Sequence, residues 1–172
     1  IITRNGTHYL LVNDGETEVA RYAPGLNLGD QRRVATEFHW NGKPRTVMAV
    51  NAQSGKILWR HKTPVAPLTL SAQQDRVLFH DGDKVVCLDR VTGKPVWSSP
   101  PAPRRANMTM NFGPKLVLYK DVVLYAGGDR KMQVFDLKTG KQLWTASHAQ
   151  SGYESPEDLL VAGGVVWSAP TT

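Results

Sequence analysis

The sequence holds a single cysteine, Cys87, which excludes an intrachain disulfide and any cysteine-based zinc or iron–sulfur cluster. There is no CxxCH haem attachment site. No run approaches ~18 uninterrupted apolar residues, so no transmembrane helix is expected. Helix-period segments of 10–12 residues are missing, and the one short candidate is Glu154–Leu160. Phosphate-binding patterns of the GxxxxGK[ST] and GxGxxG types do not occur, so a nucleotide site is not indicated. No HxH or HExxH pair joins any of His8, His39, His61, His80 and His148. No basic segment leads into a 7–15-residue apolar run, so no signal peptide is visible.

What remains is a chain of 172 residues, one domain by length, with a formal charge of +6 and 41% hydrophobic residues. Its dominant feature is an internal repeat, which has to be settled before any other assignment. Trp59, Trp97 and Trp144 close three copies, AVNAQSGKILW, CLDRVTGKPVW and VFDLKTGKQLW. In each copy Gly stands four residues before the Trp: Gly55, Gly93 and Gly140. Ser54, Thr92 and Thr139 stand five before it, and Lys56, Lys94 and Lys141 three before it. Asn51, Asp89 and Asp136 stand eight before it, and Leu58, Val96 and Leu143 immediately precede it.

The pattern reads as a β-hairpin. An apolar, β-prone run enters at Thr46–Val50, Val85–Leu88 and Met132–Phe135. The Asn or Asp that follows can accept from backbone N–H groups just ahead of it. Gly supplies the left-handed conformation a short hairpin loop needs. Lys opens the return strand, which carries the aliphatic–Trp pair. Ser54, Thr92 and Thr139 are thus turn hydroxyls rather than nucleophiles, since no GxSxG elbow surrounds them.

Two further strands precede each hairpin. Before the second copy they are Pro67–Leu70 and Val77–His80, with a turn at Asp81-Gly82. Before the third they are Leu116–Tyr119 and Val122–Ala126, with a turn at Gly127-Gly128-Asp129. In the N-terminal 45 residues, Tyr9–Val12 and Glu18–Tyr22 are expected to pair around Asp14-Gly15. Glu37–Trp40 reads as a strand and Ala23–Arg33 as a loop. Asp158–Ala162, Gly163-Gly164 and Val165–Ser168 read as the first two strands of another unit.

Four short strands per ~40 residues is the pattern of a β-propeller blade. The expected fold is therefore all-β: a propeller segment of four-stranded antiparallel blades, with an incomplete ring. Blades are placed at about 1–62, 63–99 and 100–148, with the start of a further one at 149–172. Trp97 follows Trp59 by 38 residues and Trp144 follows Trp97 by 47; the surplus falls in a Pro-rich insertion around Ser98–Gly113.

The three copies resemble the tryptophan-docking repeat of quinoprotein-like (pyrroloquinoline quinone-repeat) β-propellers, loosely Ala-x-Asp-x-x-x-Thr-Gly-x-x-x-Trp. Copy one keeps the Ala (Ala49) but has Asn51 and Ser54; copies two and three keep Asp and Thr but place Cys87 and Val134 at the Ala position. The resemblance implies that Trp59, Trp97 and Trp144 pack on the loop backbone of the next blade. It extends from about Thr46 to Trp167. WD and Kelch repeats fit less well: no Trp is followed by Asp, and the Gly pair is absent from the second unit.

By resemblance, two functions compete. One is a non-catalytic binding or scaffolding module of a larger, extracytoplasmic bacterial protein, with a protein partner or other domains of the same chain. The other is part of a quinone-dependent alcohol or sugar dehydrogenase, holding pyrroloquinoline quinone and calcium. Calcium needs several oxygen ligands, and the vicinal cysteine pair of many such enzymes cannot form here. Asp81, Asp83 and Asp129 sit in turns, where Asp is expected for backbone reasons. No catalytic residue or metal ligand is assigned, and no cofactor is expected on the first reading. The basic doublets Arg32-Arg33, Arg104-Arg105 and Arg130-Lys131 fall in loops. Nucleic-acid binding would need exposed stacking aromatics, whereas the tryptophans are accounted for by the repeat. Partner loops are expected at Pro100–Asn111, with Arg104 and Arg105, and at Ala23–Arg33, with Arg32 and Arg33.

Overall fold

The computed structural model describes residues 1–14, 40–106, 113–147 and 159–168. These form fourteen β-strands in four antiparallel sheets. The first sheet is β1 (Ile2–Arg4), β2 (Thr7–Val12), β3 (Arg45–Asn51) and β4 (Ile57–Thr63). The second is β5 (Ser71–Gln73), β6 (Arg76–His80), β7 (Val85–Asp89) and β8 (Pro95–Ser98). The third is β9 (Lys115–Tyr119), β10 (Val122–Ala126), β11 (Lys131–Asp136) and β12 (Gln142–Ser147). In each the strands lie in sequence order. β13 (Leu159–Ala162) and β14 (Val165–Ser168) form a two-stranded sheet. No helix occurs among the described residues, and the sheets do not close into a ring.

Strand alternation decides what each sheet covers. Along β6, Val77 and Phe79 turn toward the first sheet, joining Tyr9, Val47, Ala49 and Trp59 in one core. Leu78 points the other way, into a core with Val123, Tyr125 and Phe135 of the third sheet. β7 divides likewise: Val86 and Leu88 go to the first core, Val85 and Cys87 to the second. The middle sheet is thus apolar on both faces, which explains its nearly unbroken apolar strands. A third core joins Leu124, Met132 and Val134 to Leu159, Val161 and Val166 of β13–β14.

Several sequence expectations need correction. The first strand of the second unit is Ser71–Gln73, not Pro67–Leu70. Pro64 and Pro67 cannot donate to a ladder, and the chain turns at Pro67–Leu68 instead. There the Thr69 hydroxyl accepts from the His80 N–H at 3.1 Å and donates to the Ala66 carbonyl at 2.7 Å. Tyr9–Val12 belongs to β2, which pairs with β1 through Thr7–Tyr9 and with β3 along its length; its expected partner Glu18–Tyr22 lies outside the described residues. Trp40 is not in a strand, and Glu37–His39 lie outside the described residues. Leu159 and Leu160 are strand, so the helical candidate fails at its described end.

Candidate functional site

Two places in the chain gather the candidate residues: the repeat hairpins and the turns around the Pro-rich insertion.

In each hairpin one side-chain oxygen organises the turn. Asp89 Oδ1 accepts from the N–H groups of Val91 at 3.1 Å and Thr92 at 2.8 Å, and from the Thr92 hydroxyl at 2.7 Å. Asp136 does the same with Thr139, and Asn51 with Gln53 and Ser54. The Thr92 and Thr139 hydrogen bonds hold the Asp89 and Asp136 carboxyls below the usual carboxylate range. Gly55, Gly93 and Gly140 take φ of 69°, 69° and 72°, in the left-handed region.

A register shift falls at the same place in all three hairpins, after Ala49, Cys87 and Val134. It leaves Trp59, Trp97 and Trp144 opposite those three residues. The skipped residues are Leu58, Val96 and Leu143, and all three are exposed. The repeated aliphatic position therefore serves the bulge rather than the core, which its apolar character alone would not suggest.

The tryptophans reach the following sheet. The Trp59 indole N–H donates to the Arg90 carbonyl at 2.9 Å, and Trp97 donates to the Leu137 carbonyl at 3.0 Å. Each acceptor directly follows the turn Asp. The rings lie flat on the turn glycines: a Cβ at Gly93 would lie 2.5 Å from the Trp59 ring, and one at Gly140 would overlap Trp97. Glycine is thus required twice over, by φ and by the ring. Trp144 differs, being 43% exposed where Trp59 is 8% exposed. At the other end, a Cβ at Gly55 would meet nothing within 4 Å.

The insertion after β8 packs inward. Ala102 is fully buried and its N–H donates to the Asp83 carbonyl at 2.8 Å; the Arg105 N–H donates to the Gly127 carbonyl at 2.9 Å. The Arg104 guanidinium donates to the Gly82 carbonyl at 2.9 Å and lies 5.1 Å over the Trp40 ring. The Arg105 side chain lies against Gly128. Both arginines thus brace turns of their own chain. Of the expected partner loops, Ala23–Arg33 with Arg32 and Arg33, and residues 107–111, lie outside the described residues.

His80 is fully buried and stacked on Tyr125 at 4.7 Å. Its Nδ1 accepts from the Gly82 N–H at 3.1 Å, so Nε2 carries the proton and donates to the Ala102 carbonyl at 2.9 Å. Burial lowers its pKa. It is a structural histidine that ties β6 to the insertion. Cys87 is buried and its thiol is pushed up to about 12 by desolvation, which makes it inert as a nucleophile.

The turn aspartates Asp81 and Asp129 are engaged by the backbone of their own turns. Asp81 Oδ1 accepts from the N–H groups of Asp83 and Lys84, each at 2.9 Å, and Asp129 from that of Lys131 at 3.2 Å. Among the described residues no group of three His, Cys, Asp or Glu side chains could hold a metal ion. No helix among them is long and apolar enough to cross a membrane.

Comparison with known proteins places this geometry. Residues 43–169 match the family model described as outer membrane protein assembly factor BamB. Over 145 residues the chain is 26% identical to the quinoprotein alcohol dehydrogenase PedH of Pseudomonas putida, covering 74% of this chain and 24% of that one. The crystal structure of BamB from Moraxella catarrhalis superposes with a TM-score of 0.58 at 19% identity, over 74% of this chain and 44% of that one. The computationally designed Ika4 protein superposes at 0.52 with 20% identity, over 74% of this chain and 78% of that one. The chain therefore spans less than half the length of PedH and of the BamB structure, and it belongs to the BamB-type, PQQ-like repeat family of β-propellers.

Proposed function

We propose that this chain is a non-catalytic binding and scaffolding segment of a β-propeller, working on a protein partner in an extracytoplasmic bacterial compartment. The observation that carries the reading is where its polar and apolar side chains are spent. Arg104, His80, Asp81 and Asp129 bond to their own backbone. Apolar side chains stay exposed together at one end: Leu160, Val165 and Trp167 are 61%, 53% and 59% exposed. A grouped apolar surface of this kind marks an interaction site. Trp59 and Trp97 act on this reading as docking residues that lock successive blades, giving the partner surface a rigid base.

The second reading, part of a quinone-dependent dehydrogenase, is favoured by the PedH match. A thermal-shift titration with pyrroloquinoline quinone and calcium separates the two. A native-state ligand at a hundredfold excess over Kd stabilises by about 2.7 kcal/mol. The scaffold reading predicts no shift; a saturable, calcium-dependent shift would overturn it.

A further inference from the structure

The cleft between the second and third sheets carries a charged group that the repeat does not call for. Both of these sheets have all four strands, so the walls of the cleft are complete. It is lined by Gln74 and Asp75 of the β5–β6 turn, Arg76, Asp121 of the β9–β10 turn, and Leu137 and Lys138 of the β11–β12 turn, and its volume is about 210 Å³. Arg76 opens β6, where β2 opens on Thr7 and β10 on Val122. The backbone confirms that these positions match. The residue before each, Gly6, Asp75 and Asp121, accepts at its carbonyl from the N–H of the residue that follows the turn Asn or Asp: Ala52, Arg90 and Leu137. A hydroxyl or an aliphatic side chain therefore suffices for the fold at this position. Arg76 shares the face of β6 that carries Leu78, the face turned to the third sheet. Its Nη1 donates to the Asp75 carboxylate at 2.6 Å, while its Nε is buried without an acceptor.

A buried donor left unpaired marks a place for a ligand atom or a water. The lining holds two cations, Arg76 and Lys138, and two carboxylates, Asp75 and Asp121. With Asp75 spent on Arg76, it offers a ligand the Arg76 Nε–H and the Lys138 ammonium as donors and the Asp121 carboxylate as acceptor. We propose that this cleft binds a small zwitterion, a molecule of the free α-amino-acid class. The ligand carboxylate accepts from the Arg76 Nε–H and the Lys138 ammonium, and the ligand ammonium donates to Asp121. A bare anion would meet the two carboxylates as well as the two cations, and a bare cation the reverse. A ligand carrying both charges complements the whole lining. The site goes beyond the protein-partner reading and uses none of the residues on which that reading rests.

The probes are L-alanine, propionate and ethylamine, which share a carbon skeleton and differ in the charges they carry. Each is titrated into the full chain at constant ionic strength, with calorimetry and NMR of the Arg76 Nε–H as readouts. L-alanine should bind saturably at one site, at least tenfold more tightly than propionate or ethylamine, and should slow exchange of the Arg76 Nε–H with water. Arg76→Val, which gives β6 the residue that β10 already carries at this place, should fold and lose L-alanine binding. Asp121→Asn, a change at an exposed turn residue, should remove the advantage of L-alanine over propionate. Three results would overturn the site: no saturable binding of L-alanine, which would leave the Nε–H to an ordered water; equal binding of L-alanine and propionate; or binding that neither variant changes. None of these touches the scaffold reading, which stands or falls on the quinone titration.

Discussion

Trp59 and Trp144 occupy the same position of the same motif, opposite Ala49 and Val134 across the same bulge. One is 8% exposed and the other 43%. Their own sheets are alike, so the difference comes from the neighbour: Trp59 has the Asp89–Lys94 turn beneath it, and among the described residues Trp144 has no such turn. The motif is therefore two half-sites. Each hairpin carries a ring for the sheet that follows and a glycine platform for the sheet that precedes. A blade is held by what it borrows as much as by its own ladder.

The largest test of that contrast is truncation of the rings. Trp59→Ala should cost about 3–5 kcal/mol, the range for large-to-small aromatic changes in a core, and Trp97→Ala a similar amount. Trp144→Ala should stay within about 1 kcal/mol, since its ring is half in solvent. Chemical denaturation of the three variants gives the comparison directly. Equal losses would mean the ring acts within its own sheet.

The glycine platforms give the next effect. Gly55→Ala meets only the backbone cost of a left-handed residue, about 1–2 kcal/mol. Gly93→Ala carries that cost and also drives a methyl group to 2.5 Å from the Trp59 ring. It should be the more destabilising of the two by at least about 1 kcal/mol. Equal melting temperatures would show that the Trp59 seat yields freely.

Acid should loosen the covered interface between the second and third sheets. The His80 pKa is lowered in the folded state by burial, so the unfolded chain binds its proton more readily. The stability it protects is present above the unfolded value, about 6.5. It is lost as pH falls from there toward the lower folded value. His61, half-buried, shifts in the same direction and adds to the loss. His80→Gln should flatten the stability profile below pH ~6.5, read by denaturation at a series of pH values; an unchanged slope would contradict the assignment. The smallest effect is expected at the bulge: Leu58→Ala should change stability by less than about 0.5 kcal/mol, because that side chain points into solvent.

Much of this is legible in the sequence because the repeat is local. Asn51, Asp89 and Asp136 cap turns whose partners lie within five residues, so spacing alone implies the hairpins. The contrast between Trp59 and Trp144 is not legible, since it depends on which sheet stands next. The first strand of the second unit is misplaced by sequence reading because Leu68–Leu70 looks β-prone while the Thr69 hydroxyl, not a ladder, satisfies the His80 N–H. His80 itself gives no signal: its burial comes from Ala102, twenty-two residues on and inside an insertion. Arg104 and Arg105 read as charges of a partner loop, and the sequence does not reveal that Gly82 and Gly127 approach the insertion closely enough to engage it.

The most direct test is hydrogen exchange at the indole N–H groups, resolved by NMR on the full chain. Trp59 and Trp97 donate to the Arg90 and Leu137 carbonyls and should be strongly protected, whereas Trp144 should exchange at a rate close to that of a free indole. Three indoles of similar protection, or a protected Trp144 beside fast Trp59 and Trp97, would contradict the account.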